Sequence, residues 1–215
     1  MPLTIFHGEH HVKSRQALHE AIEALKQRQI SIQLLEAKPL EPANLEHFLG
    51  STSLFAEESG LQIEELHSLP KSERKSKLIE QLTQPIANEL HVFMWEKKKL
   101  TPTELKKFPT AKIHSFPISS KMFAWINSLN SSSVESQLKL LNDAIQSDGA
   151  DFCFAMFARQ IRIWLEKTPD TSPQLKLLLD IHEELTFTDY KIKTGQSTLT
   201  LEQTLVQLVL KLNRK

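Results

Sequence analysis

The chain has 215 residues, 40% apolar and 24% charged, and its 26 Lys and Arg balance its 26 Asp and Glu. This length permits one large domain or two small ones with real hydrophobic cores. The even charge excludes a strong non-specific grip on nucleic acid from bulk charge alone. The single cysteine, Cys153, cannot form an internal disulfide, and its neighbours "DFCFAMFA" read as a buried helix face with an inert thiol. The start "MPLTIFHGEHHVK" lacks the basic-then-apolar pattern of a secretory signal, and no window reaches the roughly 18 apolar residues of a membrane span. A soluble, cytoplasmic protein with no membrane partner is expected.

The first half alternates between strand-like and helix-like text. "LTIFHG" (3–8) is a short apolar strand closed by Gly8, and Val12, Leu18, Ile22 and Leu25 then follow near helical spacing. "SIQLLEA" (31–37) predicts a second strand. "EPANLEHFLGST" places Leu45, Phe48 and Leu49 on one helical face, with Pro42 near the helix start. "SGLQIEEL" (59–66) alternates as a strand, "KSERKSKLIEQLTQ" is a polar helix, and "NELHVFMWE" (88–96) is a strong apolar strand. "TPTELKKF" (101–108) is a short helix with a Thr cap and a Pro start, and "AKIHSFP" (111–117) is the last strand. Strands separated by crossovers of helix length mean a parallel sheet flanked by helices.

From Ser119 onward the text is helical. "SSKMFAWINSL", "SSSVESQLKLLNDAIQSDG", "ADFCFAMFARQIRIWLEKT", "SPQLKLLLDIHEELTFTDYKIKTG" and "TLEQTLVQLVLKLNRK" follow one another, with Ser-type N-caps and stops at Gly149 and Gly195. The expected organisation is an α/β domain at 1–117 and an all-α bundle at 118–215, the boundary lying near Pro117. The segment "NSLNSSS" (127–133) reads as a helix–helix loop.

Chemistry is sparse. A phosphate-binding loop needs glycines and a Gly-Lys-Ser/Thr, whereas "HGEHHVKSR" has one glycine and an acid, Glu9, that would repel a phosphate. The dinucleotide fingerprint is absent as well. His7, His10 and His11 crowd this loop, but their spacing fits no zinc pattern, and a solvated loop is expected. Glu64 and Glu65 form a possible acid–base pair on which nothing else converges; a solvated strand end is expected. No cofactor is predicted. In "FARQIRIWLEK", Arg159 and Arg162 lie one turn apart beside Phe157, Ile161, Trp164 and Leu165. The pair admits two readings, contact with carboxylates across a subunit boundary or a solvated face that snorkels over the core. In "DYKIKTG", lysines just before a helix-ending glycine complement the helix dipole.

In order along the chain, "LTIFHGEHHVKSRQAL", "FLGSTSLFAEESGLQIEEL", "LHVFMWEKKKL", "FCFAMFARQIRIWLEK" and "LTFTDYKIKTG" resemble the delta subunit of the bacterial DNA polymerase III clamp loader. The resemblance implies a degenerate AAA+/RecA-like domain without a phosphate loop, followed by a helical collar domain. On this resemblance the lid domain that the family carries between them is expected to be missing or vestigial, because "FPISSKMFAWINSL" runs from the last strand into what looks like the first collar helix. The family's Ser-Leu-Phe wedge, which enters a pocket on the sliding clamp, carries over to Leu54 and Phe55, with Thr52 and Ser53 on the same turn. Burying both apolar side chains would contribute roughly 3–6 kcal/mol. Arg159, Gln160, Arg162, Lys193, Thr194 and Gly195 match the collar motifs. The implied partners are the sliding clamp and the ATPase subunits of the loader, with indirect or weak DNA contact. No intrinsic catalysis is implied, although the family belongs to the polymerase holoenzyme. Two other readings remain open, an atypical P-loop-type nucleotide-binding enzyme and a free-standing interaction protein derived from a clamp loader.

Overall fold

The structure is a computed structural model, and it describes residues 3–50, 58–86 and 89–213. The chain divides into two compact units, Met1–Pro117 and Ile118–Lys215.

The first unit holds strands β1 (Leu3–His7), β2 (Ser31–Glu36), β3 (Ser59–Glu64), β4 (Leu90–Glu96) and β5 (Lys112–Ser115), and helices α1 (His11–Lys26), α2 (Pro42–Gly50), α3 (Glu73–Thr83) and α4 (Pro102–Leu105). A short 3-10 turn, Leu66–Ser68, follows β3. The strands form one sheet in the order β2-β3-β4-β1-β5, parallel at every junction. The fold class read from the sequence, a parallel α/β sheet followed by helices alone, is the class observed.

Alternation along each strand sorts the side chains onto two faces. Leu3 and Ile5 of β1, Leu61 and Ile63 of β3, and Leu90, Val92 and Met94 of β4 join one core cluster, together with Leu45 of α2 and Leu78, Ile79 and Leu82 of α3. Phe6, Phe93 and Trp95 join the other cluster with Leu18, Ile22 and Leu25 of α1. Val12 departs from expectation and is 54% exposed. Its place on the inner face of α1 goes to Ser14, which is buried and accepts a 3.1 Å hydrogen bond from the Trp95 indole N–H. A polar residue suits that spot because a buried indole N–H needs an acceptor.

The second unit packs α5 (Ser120–Ser128), α6 (Val134–Asp148), α7 (Ala150–Lys167), α8 (Gln174–Lys193) and α9 (Leu201–Leu212) around Trp125, Phe157, Ile161, Ile181 and Leu205, all fully buried. The Trp125 and Phe157 rings stack 5.9 Å apart. Gln137 of α6 and Asn213, the residue capping α9, exchange amide hydrogen bonds of 2.8 and 3.3 Å. Cys153 is buried as expected, and burial pushes its thiol up to about 12, with Asp148 adding to the shift. At pH 7 such a thiol holds almost no thiolate and is a poor nucleophile. No described helix is long and apolar enough to cross a membrane.

Candidate interaction site and the switch point of the sheet

Thr52, Ser53, Leu54 and Phe55 lie outside the described residues, but both flanks of their segment are defined. On one side α2 is anchored by Leu45, which is fully buried, and by the half-buried Phe48 and Leu49 against the same core. On the other side Glu58 pairs with Arg28 at 2.7 Å and with His91 at 2.9 Å, just before β3 begins. The Ser59 N–H donates to the Glu89 carbonyl at 2.9 Å.

In open parallel sheets, ligands bind beyond the carboxyl ends of the strands where the strand order reverses. Here that point lies between β1 and β4, and the connection from β1 to α1 is only Gly8, Glu9 and His10. The connection is strapped to β5: the Phe116 N–H donates to the His7 carbonyl at 2.8 Å, and the His10 N–H donates to the Phe116 carbonyl at 3.0 Å. The first-turn N–H of Lys13 donates to His10 Nδ1 at 3.3 Å. Helix N-termini bind phosphate through free N–H groups. This one is short, tied down and partly capped from within.

The three histidines here are not a solvated cluster, as the sequence had suggested. His7 and His10 are each 1% exposed, and His11 Nε2 donates to the Lys97 carbonyl at 3.0 Å. Each therefore has a separate structural task, and no group of three metal-ligating side chains occurs among the described residues.

Glu64 and Glu65 also part company. Glu64 takes a two-pronged ion pair from Arg15, with one contact at 2.7 Å, and a bond from Gln62. The Arg15 hydrogen bond holds its carboxyl below the usual carboxylate range despite burial. The Arg15 guanidinium also stacks 3.5 Å from the Trp95 ring centroid. Glu65 turns away in a left-handed conformation, φ 58°, with its N–H on the Trp95 carbonyl at 2.9 Å. The expected solvated strand end is thus half true: Glu64 is a paired, partly covered carboxylate, and the two acids do not converge.

On the opposite face a polar cluster closes the core rows. His7 continues the row Leu3, Ile5, and Glu96 continues Leu90, Val92, Met94; the two residues are register partners. Glu96 is 1% exposed and its Oε1 accepts from the His67 backbone N–H at 2.8 Å and from His67 Nδ1 at 3.1 Å. His7 Nδ1 accepts the Leu100 N–H at 3.1 Å. Sequence reasoning missed this cluster, although the polar ends of two apolar rows are a readable signal.

The motif residues of the second unit sit on helix surfaces. Arg159 and Arg162 are exposed on α7, Gln160 is half-buried, and neither arginine forms an ion pair with another described residue. Phe157 and Ile161 are fully buried behind them, while Trp164 and Leu165 are half-buried. Lys193 pairs with Asp189 at 2.6 Å, and Thr194 donates to the Tyr190 carbonyl at 2.9 Å. Gly195, φ +69°, closes α8: its N–H reaches the Ile192 carbonyl at 3.2 Å and the Gln196 N–H reaches the Lys191 carbonyl at 2.8 Å. This is the paired-bond helix ending that a left-handed glycine permits. It accounts for Thr194 and Gly195 structurally.

The arrangement defines a parallel α/β unit with a closed phosphate position and a separate helical unit. No family model and no curated protein matches the chain. Among solved structures it is similar to the DNA clamp loader delta protein of Bacillus subtilis, with 12% identity and a TM-score of 0.48, over 100% of this chain and 96% of that one. It is also similar to a DNA polymerase III gamma subunit-related protein of Thermotoga maritima, with 10% identity and a TM-score of 0.28, over 85% of this chain and 82% of that one.

Proposed function

We propose that this chain is a delta-like subunit of a clamp loader, which binds the sliding clamp and helps to open it while other subunits hydrolyse ATP. The observation that carries the reading is the joint between β1 and α1. A sheet built as nucleotide-binding sheets are built has there a connection of Gly8, Glu9 and His10, strapped to Phe116 and bearing an acid. Such a joint fits a subunit that keeps the fold without the ATPase. The order of sequence motifs supplies the rest. Leu54 and Phe55 are the clamp-binding pair, with Thr52 and Ser53 beside them. The helical unit assembles with the ATPase subunits through a surface that includes Arg159, Gln160, Arg162 and Lys193.

The test is binding to the sliding clamp of the same genome by surface plasmon resonance, wild type against Leu54→Ala/Phe55→Ala, with circular dichroism on both. Loss of the truncated side chains should weaken binding at least 100-fold, about 3 kcal/mol, in a variant that folds. A wild type that does not bind sinks the proposal, and retained binding by the folded variant removes Leu54 and Phe55 from it.

A further inference from the structure

The stretch "EKKKL" after β4 carries Lys97, Lys98 and Lys99, all exposed, and leads through the buried Leu100 into the Thr101 cap of α4. Two histidines of the β1–α1 joint hold the two ends of this turn. His11 Nε2 lies 3.0 Å from the Lys97 carbonyl, and His7 Nδ1 accepts the Leu100 N–H at 3.1 Å. The two ties differ in kind. A ring nitrogen facing a carbonyl is a donor, and a donor survives protonation of the ring. A ring nitrogen facing a backbone N–H is an acceptor, and protonation destroys it.

We propose that His7 is an acid-sensitive latch that fastens the turn 97–100 to the end of β1 when its imidazole is neutral and releases it when the imidazole gains a proton. The geometry fixes the tautomer. With Nδ1 accepting from Leu100, the proton of neutral His7 sits on Nε2, which is buried and has no partner among the described residues. The only place for a second proton is Nδ1, where it would point at the Leu100 N–H. The surroundings oppose the added charge. Burial is the largest cause that lowers the affinity of His7 for a proton, followed by Lys99 on the turn itself and by His67 on the 3-10 turn.

The other charged groups around the cluster are already engaged. Glu96 of β4 accepts both hydrogen bonds from His67, and Lys75 of α3 donates to the His67 and Leu69 carbonyls at 2.6 and 2.8 Å. Glu104 of α4 closes the capping box with Thr101. The register partner of His7 on β5, Ser115, is uncharged. A proton on His7 therefore meets Lys99 on the one segment whose attachment it breaks, and the turn leaves with its lysines. The inference concerns this turn alone and holds whether or not the chain binds a clamp.

The experiment is amide hydrogen exchange by NMR on the full chain between pH 8 and pH 5, with rates converted to protection factors. If the opened turn leaves His7 with an ordinary pKa of about 6.5, Leu100 protection should fall as the pH drops to 5, by up to about 30-fold, while the Val92 and Met94 amides hold theirs. In His7→Asn the side-chain oxygen replaces Nδ1 as acceptor, so the turn should stay protected and lose its pH dependence. Flat Leu100 protection in the wild type, or an undiminished fall in His7→Asn, overturns the proposal. The wild-type His7 ring gives a second reading that needs no variant. A proton on Nε2 and titration below 6.5 support the latch, and a proton on Nδ1 with titration at 6.5 overturns it.

Discussion

A Cβ on Gly8 would stand 2.2 Å from the carbonyl oxygen of Phe116, and Gly8 has φ +138°. Both facts have one origin: the chain leaves β1 beside the end of β5, and the following residue, Phe116, bonds to both His7 and His10. Since the obstacle is backbone on both sides, no rotamer relieves it. Gly8→Ala is expected to cost more than about 3 kcal/mol, because steric conflict and a disfavoured backbone conformation add. Urea unfolding measures this directly. A loss under about 1 kcal/mol would show that the joint has slack and is not fixed by Phe116.

The same strap leads to a second expectation. A phosphate-binding loop must curve around its ligand with several N–H groups free, and the joint here offers Glu9 and a helix start capped by His10. Titration calorimetry with Mg-ATP should show no saturable binding in the micromolar range. Micromolar binding would restore the nucleotide-binding reading and remove the main support for a subunit without ATPase.

Hydrophobic periodicity made most of the fold readable. The strands β1 and β4 are apolar nearly throughout because they lie at the centre of the sheet and are covered on both faces, and such runs are hard to mistake. The cap residues Ser119, Thr101 and Thr200 and the stops at Gly149 and Gly195 mark helix ends through local chemistry that a sequence displays. What periodicity could not show is long-range pairing. Arg15 meets Glu64 from 49 positions away and Trp95 Nε1 meets Ser14 from 81, so Val12 read as part of the apolar face and nothing in the sequence marked Ser14 as buried. The histidines read as loop residues for the same reason: only the fold brings Leu100 to His7.

Arg15 links a carboxylate and an aromatic face, so its removal should be felt more than that of an ordinary surface arginine. Its side chain is 45% exposed, which keeps the ion pair modest. Adding the stacking on Trp95, Arg15→Ala is expected to cost about 1–2 kcal/mol. Arg15→Lys should recover only part of that, since an ammonium can neither stack flat nor engage both carboxylate oxygens. Equal stability of the Lys and Ala variants would fit this expectation only poorly; equal stability of Lys and wild type would refute it.

Acid should destabilise the first unit in two stages. His7 and His114 both have their proton affinity lowered, chiefly by burial, and His114 stacks 5.0 Å from Phe6. A histidine with a depressed folded pKa binds more protons when unfolded, so its contribution is fully present above about 6.5 and is lost as pH falls from there toward the folded value. Glu64, held low by Arg15, contributes above about 4.5 and loses that contribution as pH falls below it. Stability measured by urea unfolding should therefore decline from about pH 6.5 downward. His114→Phe should flatten part of the upper stage, and Glu64→Gln part of the lower. Stability that rises between pH 6.5 and 5 would contradict the sign of both histidine shifts.

Charge reversal at Arg159 and Arg162 separates the two readings that the sequence left open. The side chains are exposed, and neither pairs with another described residue, so a snorkelling role predicts little beyond about 0.5 kcal/mol of stability change for Arg159→Glu/Arg162→Glu. A docking role predicts the same small change in the isolated chain, together with a large loss of association. Like charges brought together across an interface cost about 2 kcal/mol or more, or roughly 30-fold in affinity. Phe157→Ala supplies the contrast. It empties a fully buried site beside Trp125 and should cost about 3–5 kcal/mol of stability, so any lost association in that variant would follow from unfolding. Sedimentation with the ATPase subunits of the same genome reads the difference. A stable double variant that still assembles makes the arginines a solvated face, and a stable one that does not assemble makes them contacts.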